Sequence, residues 1–220
     1  MTVPSSAAEL NLTPPPGLGE TITFPLGWLL DNASGPVKYR SAAEVARVSD
    51  STLREMEWLP YAFRQALRLA LSQNIDGIWN QSMLTVPKQN ADVATAGTIP
   101  ATRRLLEYGW DRESPPLSQA RRALFRLLAE DNDPAYLYEL GAKAKDDDSV
   151  RRGRLQLREA AAAALAQAGY ESDPRLRGAA RRIIERIDGY LNSPLAENRG
   201  SVSATCTYLP PKCHRRLSTR

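Results

Sequence analysis

Residues 59–79 read LPYAFRQALRLALSQNIDGIW, and this stretch indicates the fold of the chain. Its apolar residues recur at spacings of three and four, as they do on one side of a helix. These residues are Phe63, Ala66, Leu67, Ala70 and Leu71. The helical pattern extends over about residues 50–72, and Pro60 in its middle predicts a break or kink, with the stronger helix from Pro60 on. Because glycine and polar residues follow Gln73, we expect the helix to end there in a turn.

The same helical spacing continues through most of the chain beyond this stretch. It predicts helices over residues 98–108, 150–168 and 174–191, with two more that open at Pro115 and Pro134. Gly109 and Gly169 stand where helix C-caps are expected, and Asp173 stands at an N-cap. Ser41 with Glu44 predicts a capping box at the start of the first helix. Because no segment alternates apolar and polar residues for long, the sequence predicts an all-α protein.

Two segments repeat each other sixty residues apart, residues 101–126 and residues 161–186. Seven identical pairs align without a gap. They are Ala101, Leu105, Gly109, Ala120, Arg121, Arg122 and Arg126 with Ala161, Leu165, Gly169, Ala180, Arg181, Arg182 and Arg186. Each copy reads as helix, glycine–aromatic–acid turn, helix, with Trp110 and Tyr170 as the aromatic residues. Such hairpins must stack on neighbours to bury their apolar sides, which predicts a helical-repeat fold.

Composition separates this repeat domain from two tails. Residues 1–40 are rich in proline and glycine and are expected to be an extended N-terminal tail. Residues 41–191 form the predicted helical-repeat domain. Residues 192–220 are expected to be a flexible basic tail, since the last 22 residues hold five basic side chains and no acid.

Charge and composition exclude several classes of protein. Apolar residues make up 42% and charged residues 25% of the chain, as in soluble globular proteins. No membrane span or secretory signal is readable, so the sequence predicts a cytoplasmic location. The net charge of +4 comes from the basic tail, and no basic stripe interleaved with aromatic residues appears. A nucleic-acid partner is therefore not expected.

The soft metal ligands of the chain lie together in the basic tail. Cys206, Cys213 and His214 supply three such ligands, whereas a structural zinc site needs four. We therefore predict neither a metal nor a cofactor. Since His214 is the only histidine, a Ser-His-Asp or Cys-His catalytic site is also excluded from the helical region.

The segment QNIDGIW, residues 73–79, resembles the Q-x-x-x-G-x-W repeat of the squalene-cyclase and prenyltransferase superfamily. Gln73, Gly77 and Trp79 fit that motif, and Asp76 completes a D-G-x-W turn. GTIPATRRLLEYGWD (residues 97–111) and DPRLRGAARRIIERI (residues 173–187) are similar to helices of the same repeat. The resemblance implies a partial α/α toroid or open arc. It gives structural roles to the motif and to the turns at Gly109, Trp110, Gly169 and Tyr170.

The catalytic residues of that superfamily have weak counterparts here. Its cyclases carry a D-x-D-D motif whose central aspartate protonates the substrate. Asp131 and Asp133 are the nearest match, in DNDP, where proline replaces the fourth acid. A cyclase acid also needs burial and an aromatic cavity, whereas aromatic residues are only 7% of this chain.

The sequence therefore favours a noncatalytic helical-repeat module that binds a protein, an apolar ligand or a second copy of itself. One alternative is a divergent or truncated terpene-cyclase-like or prenyltransferase-like enzyme that acts on a polyprenyl substrate. Another is a HEAT-like scaffold, in which Gln73 and Trp79 match the repeat motif by chance.

Overall fold

The computed structural model describes residues 11–12, 22–23, 26–88, 91–129 and 148–193. In these ranges the regular structure is helical, apart from a two-residue pairing and two single-residue bridges. The pairing joins Asn11–Leu12 (β1) antiparallel to Ile22–Thr23 (β2), with Asn11 opposite Thr23. The predicted all-α class is confirmed.

The chain divides into two compact units. The first comprises Met1–Leu71 and Arg104–Asp111, and the second comprises Ser72–Arg103 and Arg112–Arg220. The helices of the first unit are α1 (Leu26–Asn32), α2 (Gly35–Arg40), a π-helical segment (Ser41–Ala46), α3 (Asp50–Met56) and α4 (Arg64–Leu71). Helix α5 (Thr98–Glu107) begins in the range of the second unit and ends in that of the first.

The start of the first unit differs from the expectation. Residues 26–40, assigned from sequence to the N-terminal tail, contain α1 and α2. The capping box at Ser41 is wrong, because the chain is already helical there and the Ser41 amide donates to carbonyls of the preceding turn. Glu44 instead accepts two hydrogen bonds from Arg40, with Nε–Oε1 at 2.7 Å and Nη2–Oε2 at 2.9 Å.

The break at Pro60 is confirmed. Helix α3 ends at Met56 and α4 begins only at Arg64, with Pro60 buried between them. Proline lacks an amide hydrogen and clashes with the preceding turn, so a continuous helix over this stretch is excluded. Helix α4 buries Ala66 and Leu69, whereas Leu67 and Leu71, which the spacing placed on the apolar side, are exposed.

The second unit contains a loop, a 3-10 turn (Val93–Thr95), the start of α5, and helices α6 (Pro115–Ala129), α7 (Asp148–Gln167) and α8 (Pro174–Leu191). Helices α6, α7 and α8 pack on one another. Their core combines large side chains of α6 with small ones of α7. It includes Leu124, Leu127, Leu157, Ala161, Ala164 and Leu165. The alanines of α7 permit close helix packing, because they leave little volume between the two backbones.

The loop before α5 is tied to the start of that helix. The amides of Gly97, Thr98 and Ile99 donate to the carbonyls of Thr85, Ser82 and Met83 at 2.7, 2.8 and 3.0 Å. Met83 is fully buried. The described part of the loop is therefore packed against its own unit.

Helix α8 begins as predicted, with Asp173 as its N-cap. The Asp173 carboxylate accepts from the Arg175 amide at 2.9 Å and pairs with the Arg175 guanidinium, also at 2.9 Å. Hydrogen bonding from the Arg175 side chain is the main cause that lowers the pKa of Asp173 below its usual 3.8. The charged carboxylate is thus the form that stabilises the helix start.

We predict that Asp173→Ala lowers the free energy of unfolding by about 1 kcal/mol at pH 7, the usual loss for an N-cap. Because folding lowers the pKa of Asp173, its contribution is complete above the usual pKa and is lost as the pH falls through the folded-state value. Urea unfolding at pH 7 and pH 3 measures the difference in the free energy of unfolding between wild type and variant. We expect this difference to be smaller at pH 3. Asp173→Asn is the control, since asparagine keeps the cap without the charge. A constant difference at both pH values would contradict this assignment.

None of the helices in the part of the chain that the structure describes combines the length and the apolar character needed to cross a membrane.

Candidate functional site

The turn after α4 joins three segments of the second unit. The side chain of Gln73 donates from Nε2 to the carbonyl of Gly77 at 3.0 Å and to the carbonyl of Pro116 at 2.9 Å. Pro116 lies in the first turn of α6, so one amide group holds the turn closed and ties it to a helix start. A single-residue antiparallel bridge between Gln73 and Trp79 closes the turn further.

Trp79 anchors this turn from inside. Its side chain is fully buried, and its amide donates to Thr98 Oγ1 at 3.1 Å. Thr98, the first residue of α5, donates from the same hydroxyl to the carbonyl of Ser82 at 2.9 Å. A buried hydroxyl thus accepts one hydrogen bond and donates another, so the turn and the start of α5 share one satisfied polar group.

Gly77 occupies a position that other residues do not fit. Its φ is +77°, and a Cβ built there would lie 2.8 Å from the backbone carbonyl carbon and oxygen of Gln119 in α6. Asp76, the remaining residue of the D-G-x-W turn, is exposed. The structure thus brings Gln73, Gly77 and Trp79 together as a clasp against α5 and α6, and leaves Asp76 in solvent.

The two glycine–aromatic turns have the same backbone structure. Gly109 and Gly169 have φ values of +87° and +80°. In each turn the glycine amide donates to the carbonyl of the residue three positions earlier, at 2.9 Å. The amide of the aromatic residue donates to the carbonyl five positions earlier, at 3.1 Å, which is that of Leu105 in one turn and of Leu165 in the other. These are the two bonds of a Schellman motif, in which a glycine with positive φ ends the helix.

The aromatic residue of each turn reaches an earlier part of its own unit. Trp110 in the first unit donates from Nε1 to the carbonyl of Pro60 at 3.1 Å and packs on Tyr61 with ring centroids 4.8 Å apart. Tyr170 in the second unit donates toward the carbonyl of Arg112 at 3.3 Å. In both turns, therefore, the polar group of the aromatic ring donates a hydrogen bond to a backbone carbonyl far back in the chain, 50 residues earlier for Trp110 and 58 for Tyr170.

Tyr170 also lies in a charged cluster that the sequence did not predict. Arg121 donates to its hydroxyl at 3.1 Å and to Glu113 at 3.1 Å. Arg112 donates to the carbonyl of Gly169 at 2.7 Å, and the guanidinium groups of Arg112 and Arg121 each lie 5.2 Å from the centre of the Tyr170 ring. Burial raises the pKa of Tyr170, while the hydrogen bond from Arg121 opposes that rise. This cluster has a structural role, because its charges are directed at one another and at a helix end.

A groove of about 320 Å³ lies between α7 and α8. Its floor is apolar, at Leu155, Ala179 and Ile183, and its rim is charged. The rim residues are Arg158, Glu159, Arg182, Glu185 and Arg186. Glu159 pairs with Arg186, and Arg158 donates to the carbonyl of Leu127 at 3.1 Å. These groups hold the helices together, which leaves them poorly placed for proton transfer.

A second cavity, of about 360 Å³, lies in the first unit. Val37, Val45, Phe63 and Tyr108 form much of its apolar wall. Two arginine–glutamate pairs line the remainder, Arg40 with Glu44 at 2.7 Å and Arg104 with Glu107 at 3.4 Å. Burial raises the pKa of Tyr108. Since each of these carboxylates is paired with a guanidinium group, this cavity is better suited to hold an apolar ligand than to move a proton.

Helix α8 carries an apolar strip that remains exposed. It consists of Ala180, Ile184, Ile187 and Leu191, which we call the α8 stripe. Ile184 is 65% exposed, Ile187 41% and Leu191 63%. Single exposed apolar residues are common on soluble proteins, but consecutive ones along one helix indicate a surface that another element covers.

The predicted catalytic candidates Asp131 and Asp133 lie outside the described residues, as do Cys206, Cys213 and His214. Among the residues that the structure does describe, no group of three histidine, cysteine, aspartate or glutamate side chains is placed to hold a metal ion. The chain matches no protein-family model, no curated protein and no solved structure.

Proposed function

We propose that this chain is a noncatalytic helical-repeat module that binds a protein partner through the α8 stripe. The observation that carries the proposal is the exposure of Ile184, Ile187 and Leu191 on the last described helix. In a stack of helical hairpins each hairpin covers the apolar side of its neighbour, so an apolar side that stays exposed is a surface for a partner to cover. Partner binding removes that side from water, which stabilises the complex by roughly 25 cal/mol for each Å² of apolar surface buried.

The repeat arrangement is part of the proposal. It is supported by the turns at Gly109 and Gly169, sixty residues apart, which have the same two backbone hydrogen bonds and the same use of an aromatic ring. The clasp of Gln73 and Trp79 supports the likeness to a partial α/α toroid, since it ties a helix end to the starts of later helices. In this proposal the clasp is structural, and it takes no part in chemistry.

The noncatalytic role is supported by the bonding of one carboxylate in each of the two cavities. The carboxylates of Glu44 and Glu159 each bond a guanidinium group, so neither is placed as a free acid or base. General acid–base catalysis needs a group that exchanges its proton with substrate near the working pH. Paired glutamates are more readily explained as braces between helical segments.

The proposal predicts that position 184 crosslinks to protein and that an exposed position on another helix does not. The photoreactive residue p-benzoylphenylalanine would replace Ile184 in one variant and Arg122, exposed on α6, in the control. After irradiation in a lysate of the source cells, we expect adducts larger than the 24.3 kDa chain at position 184.

Adding Ile187→Asp to the position-184 variant should reduce those adducts about tenfold, since it places a charge in the apolar contact. Equal adduct yields at positions 184 and 122 would overturn the proposal.

A further inference from the structure

The apolar arc of α8 is wider than the part its own unit covers. Leu176 and Ala179 are buried, whereas the α8 stripe begins about a quarter of a turn away around the helix. The stripe residues Ala180, Ile184, Ile187 and Leu191 follow one another at spacings of four, three and four. That alternation is typical of the a and d positions through which one helix packs along another.

Two opposite charges flank the stripe on one side. Arg181 and Asp188 are both exposed and stand seven residues apart, two turns along the helix. The Asp188 carboxylate accepts from Asn192 at 3.1 Å through Oδ1. A carboxylate accepts several hydrogen bonds, so Asp188 can still receive a guanidinium group from outside.

Building on the proposed function, we infer that the partner covering the α8 stripe is a second copy of this chain. Two α8 helices would lie antiparallel about a twofold axis, with Ile184 against Ile187 of the partner subunit and Ala180 against the partner's Leu191. In that register Arg181 of each copy faces the partner's Asp188. The surface is thus complementary to itself in shape and in charge, as a twofold interface requires.

The charges select the antiparallel orientation. In a parallel pair of helices, the position of Arg181 faces the position five residues earlier in the partner. Arg181 would then lie beside the partner's Leu176, and Asp188 beside the partner's Ile183. Neither contact pairs a charge, so only the antiparallel arrangement forms two interhelical ion pairs.

The length of the stripe limits the strength of the dimer. Residues 180–191 extend over about 17 Å at the usual helical rise. This contact is smaller than the roughly 800 Å² per partner that a standard stable interface buries. We therefore expect a concentration-dependent dimer with a dissociation constant of the order of 10 μM.

Charge reversal tests this inference in the purified full chain. In Arg181→Asp the new aspartate faces the partner's Asp188, and in Asp188→Arg the new arginine faces the partner's Arg181. Like charges in contact oppose association, so we expect the dissociation constant of each variant dimer to rise at least about tenfold. Arg122→Asp, a reversal on the exposed side of α6, should leave the dimer unchanged. Sedimentation velocity over a concentration series measures all three, and circular dichroism checks that each is folded.

The decisive experiment mixes the two single variants. In a mixed dimer both contacts again join opposite charges, so an equimolar mixture should regain the wild-type dissociation constant although neither component dimerises well alone. The double variant R181D/D188R should regain it as well. A monomeric wild type at about 100 μM, ten times the expected constant, or a mixture no stronger than its components, would overturn the second-copy inference. If the second-copy inference fails in this way, photocrosslinked adducts of position 184 with other proteins would still support the proposed function. If no such adducts form either, both the inference and the proposed function are wrong.

Discussion

Replacing Trp79 with alanine is expected to lower the free energy of unfolding of the second unit by about 3–5 kcal/mol, the usual range for a fully buried large aromatic residue. The indole is completely buried, so its removal leaves a cavity beneath the turn that Gln73 closes. Urea unfolding followed by far-ultraviolet circular dichroism measures the change.

Trp58→Ala is the matched control for this prediction. Trp58 is 62% exposed, so its truncation should change stability by no more than about 0.5 kcal/mol. Because Trp58 belongs to the first unit, its truncation should also leave the unfolding of the second unit unchanged. Equal effects of the two substitutions would show that Trp79 does not anchor the turn.

Local patterns in the sequence predicted most of the helix boundaries. Helix α8 spans Pro174–Leu191, as its N-cap and periodicity indicated, and α7 ends at Gln167, two residues before Gly169. These helix ends could be predicted because glycine, proline and capping residues act on the backbone within one turn of their own position. The break at Pro60 succeeds for the same reason.

The predictions that failed needed information beyond one turn. Ser41 and Glu44 have the right spacing for a capping box, but Arg40 binds Glu44 in a helix that starts earlier, at Gly35. The cluster of Glu113, Arg121 and Tyr170 joins residues up to 57 positions apart. No local pattern pairs such distant charges, so only the folded chain reveals them.

The α8 stripe is an intermediate case. The sequence shows that α8 has apolar residues at helical spacings, and a repeat module is expected to expose a side that needs covering. It does not show which residues the unit buries, because Ile183 and Ile184 are adjacent and chemically identical. Packing against α6 and α7 decides this, since it leaves Ile183 partly buried and Ile184 exposed.

We expect Gly77→Ala to be the most damaging small substitution in the clasp, with a loss of about 2–5 kcal/mol in the free energy of unfolding. Part of the loss is the cost of a left-handed backbone for a residue with a side chain, about 1–2 kcal/mol. The rest comes from overlap, since the new methyl group would lie 2.8 Å from the backbone of Gln119. Backbone atoms of a helix cannot rotate away as a side chain can, so the turn and α6 must separate.

Gly189→Ala in α8 provides a control of opposite sign. No heavy atom lies within 4 Å of a Cβ built at Gly189, so alanine fits there without a clash. Alanine also loses less backbone entropy than glycine on forming a helix, so this variant should gain about 0.5–1 kcal/mol. Urea unfolding of both variants under the same conditions compares the same chemical change in two environments. If the free energy of unfolding changes in the same direction in both variants, the close contact between Gly77 and α6 does not hold the turn in place.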